Sequence, residues 1–175
     1  PQDAIYLVET INDINELNFS GNDKIAYLTQ TTLSIDDTQN IINELRKKFP
    51  NIESSPKEDI CYATSNRQKA IKEYADKCDA FIVVGSKNSS NSNRLVEVAK
   101  KAGCINSHLL ENAESLNLSN YSSSNIIGIS SGASVPEILV ENIISKFNKN
   151  YSLEIENVSL GEEDVQFKLP KEVRN

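Results

Sequence analysis

Apolar and polar positions alternate along the chain in a repeated block: a short β-branched run, a polar loop, then a stretch with helical period. The first block, KIAYLTQTTLSIDDTQNIINELRKKFP, predicts a strand over 24–29 and a helix over 35–49. Ser34 and Asp37 have capping-box spacing, the RKK run suits the helix carboxyl end, and Pro50 stops it. In the second, DICYATSNRQKAIKEYADKC, a short strand near 59–63 leads to a helix over 66–77, with Ser65 and Gln68 as a capping pair. The third, AFIVVGSKNSSNSNRLVEVAKKAG, places a helix over 92–101 ahead of Gly103, a residue suited to the position after a helix end. A strand at 107–110 follows. The fourth, NIIGISSGASVPEILVENIISKF, gives a strand over 125–130 and a helix over 135–147, with Ser134 and Glu137 as an S-x-x-E box and Pro136 in the first turn. The ending, YSLEIENVSLGEEDVQFKLPKEVRN, alternates as strands do.

Continuous apolar strands alternating with helices predict an α/β chain of small, mostly parallel sheets flanked by helices. The turn-rich acidic stretch FPNIESSPKEDI is the best internal boundary, near Pro56–Lys57. In parallel sheets the ligand crevice lies beyond the carboxyl ends of the strands, which is where the polar loops fall.

Composition agrees with a globular chain: 175 residues, 38% hydrophobic and 25% charged. The longest apolar runs, AFIVVG and IIGI, are far short of a membrane span of roughly 20 residues. A formal net charge of −7 argues against nucleic acid as the main partner, so an anion bound here must be held locally. The start, PQDAIYLVE, lacks the basic leader of a secretory signal, and its missing Met leads to the expectation that Pro1 is not a natural start and the chain a fragment. Three widely spaced cysteines, Cys61, Cys78 and Cys104, form no CxxC or zinc pattern and suit a reducing cytoplasm.

Neither a Walker loop nor a GxGxxG turn is present. The strand ends instead carry TQTT, CYATS, GSKNSSNS and SSGAS. From Ser86 to Asn93 seven of eight residues are Ser or Asn. Such loops supply neutral donors at helix amino ends, where free N–H groups and the dipole favour an anion, or they serve simply as helix caps. Asp36 and Asp37 in the first turn after TQTT would repel a phosphate. The run around Ser89 has no acid until Glu97 and is flanked by Lys87 and Arg94.

The stretches YLTQTTLSIDDT, DICYATSNRQ, VVGSKNSSNSNRL and SGASVPEILV, in this order and spacing, resemble the C-terminal part of the 4-hydroxy-3-methylbut-2-enyl diphosphate reductase family, also called IspH or LytB. The resemblance covers essentially the whole chain, including FKLPKE. It implies part of a three-unit, trefoil-like architecture: residues 1–57 as the end of the middle α/β unit, 58–150 as a complete third unit, and 151–175 as a strand-rich extension. It also implies reductive dehydroxylation of the allylic diphosphate to isopentenyl and dimethylallyl diphosphate in the non-mevalonate isoprenoid pathway. The implied cofactor is a 4Fe-4S cluster, the implied electron donor a ferredoxin or flavodoxin, and the implied location bacterial cytoplasm or plastid stroma.

Matched motif by motif, the resemblance makes Cys61 the last of three cluster ligands and Ser89, Ser90 and Asn91 a diphosphate-binding triplet. Ser134 becomes a further diphosphate contact, and Thr31 the threonine facing the substrate hydroxyl. The family's other two cluster cysteines, its two early histidines and the HPE motif with the proton-delivering Glu match nothing here. No catalytic residue is therefore assigned within the chain, which alone is expected to be inactive and to need the missing N-terminal domain. Cys78 and Cys104 read as structural thiols, and His108 stands where the family usually has an aromatic residue. Two other readings stay open on the residues: a cluster-free α/β module that binds a phosphorylated metabolite through the Ser/Asn loops, and a non-enzymatic interaction module.

Overall fold

The computed structural model of the chain describes residues 4–20, 23–55 and 60–160. In chain order the elements are α1 (Ile11–Glu16), β1 (Ala26–Tyr27), α2 (Ile35–Lys48), β2 (Glu53–Ser54), α3 (Tyr62–Tyr74), β3 (Ala80–Val84), α4 (Ser90–Lys101), β4 (Ser107–Leu110), β5 (Ile127–Ser131) and α5 (Glu137–Asn148). Single 3-10 turns follow α3 and precede β5. Among the described residues all strand pairing is parallel: β1 with β2 in a small sheet, and β4-β3-β5 in a larger one. The α/β class with helix-flanked parallel sheets is therefore the observed one.

The central strand organises the larger sheet. Every residue of β3 is buried, and its side chains alternate between two cores as the two-residue period of a strand requires. Phe81 and Val83 join Ile71, Leu95, Val98 and Ala99 beneath α3 and α4. Ala80, Ile82 and Val84 join Leu116, Tyr121, Ile143 and Phe147 beneath α5. Gly128 in β5 leaves room for this packing, since a Cβ there would come within 2.4 Å of the Phe81 ring. The smaller sheet rests on Ile14, Leu17 and Leu45, and Lys48 closes the end of α1 by donating to the carbonyls of Ile14, Asn15 and Leu17.

Several local expectations change. Of the strand expected near 59–63, the described residues 60–63 form none: Thr64 and Ser65 both donate to the Cys61 carbonyl (2.9 Å each), which starts α3 at that point. The partner of β1 is instead 53–54, where Glu53 N–H reaches the Ile25 carbonyl at 2.9 Å. Ser65 and Gln68 do not form a cap; Ser65 Oγ donates back to the Tyr62 carbonyl, and Gln68 points into the interior. Ser134 does not cap α5 either, because an extended Pro136 occupies the cap position and makes no side-chain bond there. Helix α1 is an element beyond the expected set, opened by a complete capping box of Thr10 and Asp13. Residues 151–160 form no strand, and the remainder of the ending lies outside the described residues. Ser34 caps α2 as expected, and Gly103 follows α4 with φ +116°, a conformation that favours glycine.

Candidate functional site

Two loops converge at the carboxyl edge of the larger sheet. The first leaves β3 at Gly85, whose N–H is tied to the Leu110 carbonyl of β4 at 2.9 Å. The second leaves β5 at Gly132, whose N–H is tied to the Val84 carbonyl at 2.9 Å. Ser92 is wedged between them; a Cβ on Gly85 or Gly132 would come within 2.2 or 2.4 Å of its Oγ. The glycines therefore let the Ser/Asn loop and the SSGAS loop close on each other, with β3 at the point where the chain passes from one side of the sheet to the other.

Ser89 is the amino cap of α4, accepting from Ser92 N–H at 3.2 Å and from Ser92 Oγ at 3.1 Å. Asn93 Nδ2 donates to the carbonyls of Lys87 and Ser89 (2.7 and 3.0 Å), which fixes the loop's backbone. The N–H groups of Ser90 and Asn91, in the open first turn, have no partner among the described residues. Asn91 is only 8% exposed, and its Oδ1 is buried without a hydrogen-bond partner. No contact within the described chain fixes which of its two amide atoms faces the loop. Ser90 and Ser134 are exposed.

Charge around this turn is modest. No acid stands in the first turn of α4, but Arg94 is paired with Glu97, and Glu111 accepts from the Lys87 N–H at 3.4 Å. The expected cationic flank thus reduces to the exposed Lys87 side chain. At the start of α2 the carboxylates are both engaged, Asp36 by Lys72 at 2.6 Å and Asp37 by Lys101 at 2.7 Å. The Lys101 hydrogen bond is the main reason the Asp37 carboxyl stays below its usual pKa.

Thr31 and Cys61 come together through their backbones, Cys61 N–H donating to the Thr31 carbonyl at 3.1 Å. Cys61 is exposed, occupies the cap position of α3 and makes no side-chain cap bond, so its thiol is available. Gln68, 0% exposed, braces the loop beside Thr31: Nε2 donates to the Leu33 carbonyl (2.8 Å) and Oε1 accepts from Ile35 N–H (3.1 Å). Nothing in the capping pattern of the sequence signals this latch; a Gln on the apolar stripe of a helix is the only trace. The helices that follow Cys61 and Ser89, α3 and α4, pack on each other and so tie the two regions together.

The other sulfur and imidazole groups lie elsewhere. Cys104 is buried in the core under α4, and Cys78 packs against the same core with its Sγ 3.3 Å from the Tyr74 carbonyl. Burial first, then the nearby Cys104, pushes the Cys78 thiol up. His108 is exposed, pairing with Asn106 Oδ1 at 2.7 Å and meeting Tyr121 edge-on. Among the described residues no three His, Cys, Asp or Glu side chains gather in a way that could hold a metal ion. No described helix is long and apolar enough to cross a membrane.

This geometry defines an open parallel α/β sheet with a neutral loop rich in hydrogen-bond donors at its carboxyl edge. A family model described as LytB protein matches residues 1–148, and the chain belongs to that family. The 4-hydroxy-3-methylbut-2-enyl diphosphate reductase of Beijerinckia indica subsp. indica is 47% identical over 174 residues, covering 99% of this chain and 54% of that protein. The reductase of Brucella suis biovar 1 is 43% identical over 175 residues, 51% of its length. The solved E-1-hydroxy-2-methyl-but-2-enyl-4-diphosphate reductase of Plasmodium falciparum superposes with a TM-score of 0.87 at 38% identity, covering 95% of this chain and 53% of that one. The chain spans about half the length of the relatives it matches.

Proposed function

We propose that this chain supplies the diphosphate-binding unit and one cluster thiolate of a 4-hydroxy-3-methylbut-2-enyl diphosphate reductase, an enzyme of non-mevalonate isoprenoid synthesis. The overall reaction removes the allylic hydroxyl as water with two electrons and two protons, giving isopentenyl and dimethylallyl diphosphate. The observation that carries the reading is Asn91: a buried amide whose Oδ1 has no partner, so that the group is free to turn its Nδ2 donor toward an anion at the Ser89-capped open turn of α4. An uncommitted polar group costs stability when it is buried, and an external ligand is what offsets that cost.

In this reading Ser89, Ser90 and Asn91, with the free N–H groups of the first turn, hold the diphosphate, and Ser134 reaches it from the neighbouring loop. Thr31 hydrogen-bonds the neutral hydroxyl end, a role compatible with the acids that follow it. A 4Fe-4S cluster, when bound, supplies the electrons from a ferredoxin- or flavodoxin-type donor. Cys61 fits such a group, being exposed, at a helix amino end and free of a cap bond; the half-buried Cys78, packed against the core, and the buried Cys104 do not. One thiolate does not hold a cluster, so the remaining ligands, the proton-delivering Glu and the activity belong to the part of the relatives' length that this chain does not span. Residues 1–57 and 58–150 are read as parts of two successive α/β units of that assembly.

The direct test is titration of the chain with inorganic pyrophosphate. Ser89→Ala combined with Asn91→Ala should weaken binding by about 1–3 kcal/mol per charge-assisted bond lost, and unchanged binding removes the assignment. In the full-length protein, anaerobic reconstitution should give iron-sulfur absorbance that Cys61→Ser abolishes and Cys78→Ser leaves intact.

A further inference from the structure

The hydroxyl proton of Ser92 has a single destination. Ser92 is the third residue of α4, 0% exposed, and its Oγ lies under the close approach of Gly85 and Gly132. The one partner of that Oγ among the described residues is Ser89 Oγ, 3.1 Å away, and the Ser92 N–H donates to the same oxygen at 3.2 Å. A serine hydroxyl has one proton and two lone pairs. If Ser89 were the donor between the two hydroxyls, the Ser92 proton would be buried with no acceptor. Ser89 faces no such constraint, because it is half-buried at the rim of the loop and its proton can point outward. Satisfying both groups therefore fills both lone pairs of Ser89 from Ser92 and leaves the Ser89 O–H directed away from the chain.

We propose that Ser92 is a positioning residue that fixes Ser89 as an obligate hydrogen-bond donor, so that the pocket selects an ionised phosphoryl oxygen over any ligand group that must itself donate there. The inference rests on the reading that this loop binds a diphosphate. Ser92 does not reach the ligand; its whole effect passes through one oxygen atom. Gly85 and Gly132 are part of the same device, because a side chain on either would occupy the space of the Ser92 hydroxyl.

A double-mutant cycle tests the inference, using calorimetric titration of the 175-residue chain with inorganic pyrophosphate. Ser92→Ala should weaken binding about threefold to tenfold, and Ser89→Ala at least as much. Adding Ser92→Ala to Ser89→Ala should change affinity by less than about twofold, because the oxygen that relays the effect is gone. Equal weakening by Ser92→Ala in both backgrounds would mean a general packing role and overturns the inference alone. No effect of Ser89→Ala overturns the diphosphate reading of the loop, and the inference with it. Circular dichroism reports whether each variant is folded. If Ser92→Ala is not, Ser92→Cys carries the test, keeping the volume with a weaker donor and giving a smaller, still non-additive loss.

Discussion

Replacing Gln68 by Leu should detach the loop next to Thr31 from α3 while leaving the helix intact. The side chain is fully buried and satisfies two backbone groups of one loop, the Leu33 carbonyl and the Ile35 N–H. Leucine fills similar space, so the cavity contribution is small and the loss comes from the two stranded backbone groups. A buried group left without its partner costs about 1–3 kcal/mol. Leu33 and Ile35 are only half-buried, so water partly replaces the amide, and the total comes to about 2–4 kcal/mol. The ion pairs that tie α2 to the same helices, Lys72–Asp36 and Lys101–Asp37, are solvent-accessible and worth roughly 0.2–1 kcal/mol each, so Gln68 dominates the attachment. Urea denaturation followed by circular dichroism gives the stability change, and amide exchange at Ile35 gives its location. The loss should persist in about 1 M salt, where the ion pairs are screened. A change under about 1 kcal/mol with Ile35 still protected would refute the latch.

Three further outcomes follow from the packing, the charges and the thiols. Gly132→Ala should destabilise by about 1–3 kcal/mol in thermal melts, and Ser92→Ala should relieve it because the clashing atom at 2.4 Å is the hydroxyl while the Cβ is at 3.6 Å; Gly85→Ala should not be relieved, since the Ser92 Cβ is itself at 2.7 Å. Asp79 accepts the N–H groups of Ile126 and Asn125, which hold its pKa below the ordinary carboxylate value. Its stabilisation is therefore complete above the unfolded value of about 3.9 and disappears as pH falls from there through the folded value, so Asp79→Ala should lower Tm at pH 7 and flatten the acid limb of the Tm–pH curve. A thiol reagent should label Cys61 of the native chain rapidly, and Cys61→Ser should remove that phase, with the half-buried, pKa-raised Cys78 reacting more slowly and the buried Cys104 only on unfolding; a fast phase surviving in the variant contradicts the exposure pattern.

The strands of the larger sheet and the end of α4 were legible because their signals are local: an unbroken β-branched run at AFIVV and a glycine that the chain needs at positive φ. The strand expected near 59–63 fails for the opposite reason: the observed β2 exists through a two-residue pairing with β1, nearly thirty positions away. Gln68 and Ser134 show the same limit. Both have the spacing of caps, yet one is drawn into the interior by a distant loop and the other is displaced by a turn in which Val135 N–H returns to the Gly132 carbonyl. The Ser/Asn run could be placed on the ligand edge from pattern alone. That Ser92 is buried depends on the second loop closing against it at Gly132, and that Asn91 is buried without an internal partner depends on the tertiary surroundings rather than on the run itself.

Most binding loops belong to the parts of a protein that open first, but the one following β3 leaves the strand that is buried throughout and paired on both sides. The amides of 80–84 are expected to exchange only when the whole sheet melts, and the loop is clamped to that sheet at Gly85 and Gly132. On the proposed reading, an anion bound there would not order a floppy segment but would add RT ln(1 + [L]/Kd) to the stability of the entire unit, about 2.7 kcal/mol at one hundred times Kd, so that occupancy of the loop and survival of the fold would rise and fall together.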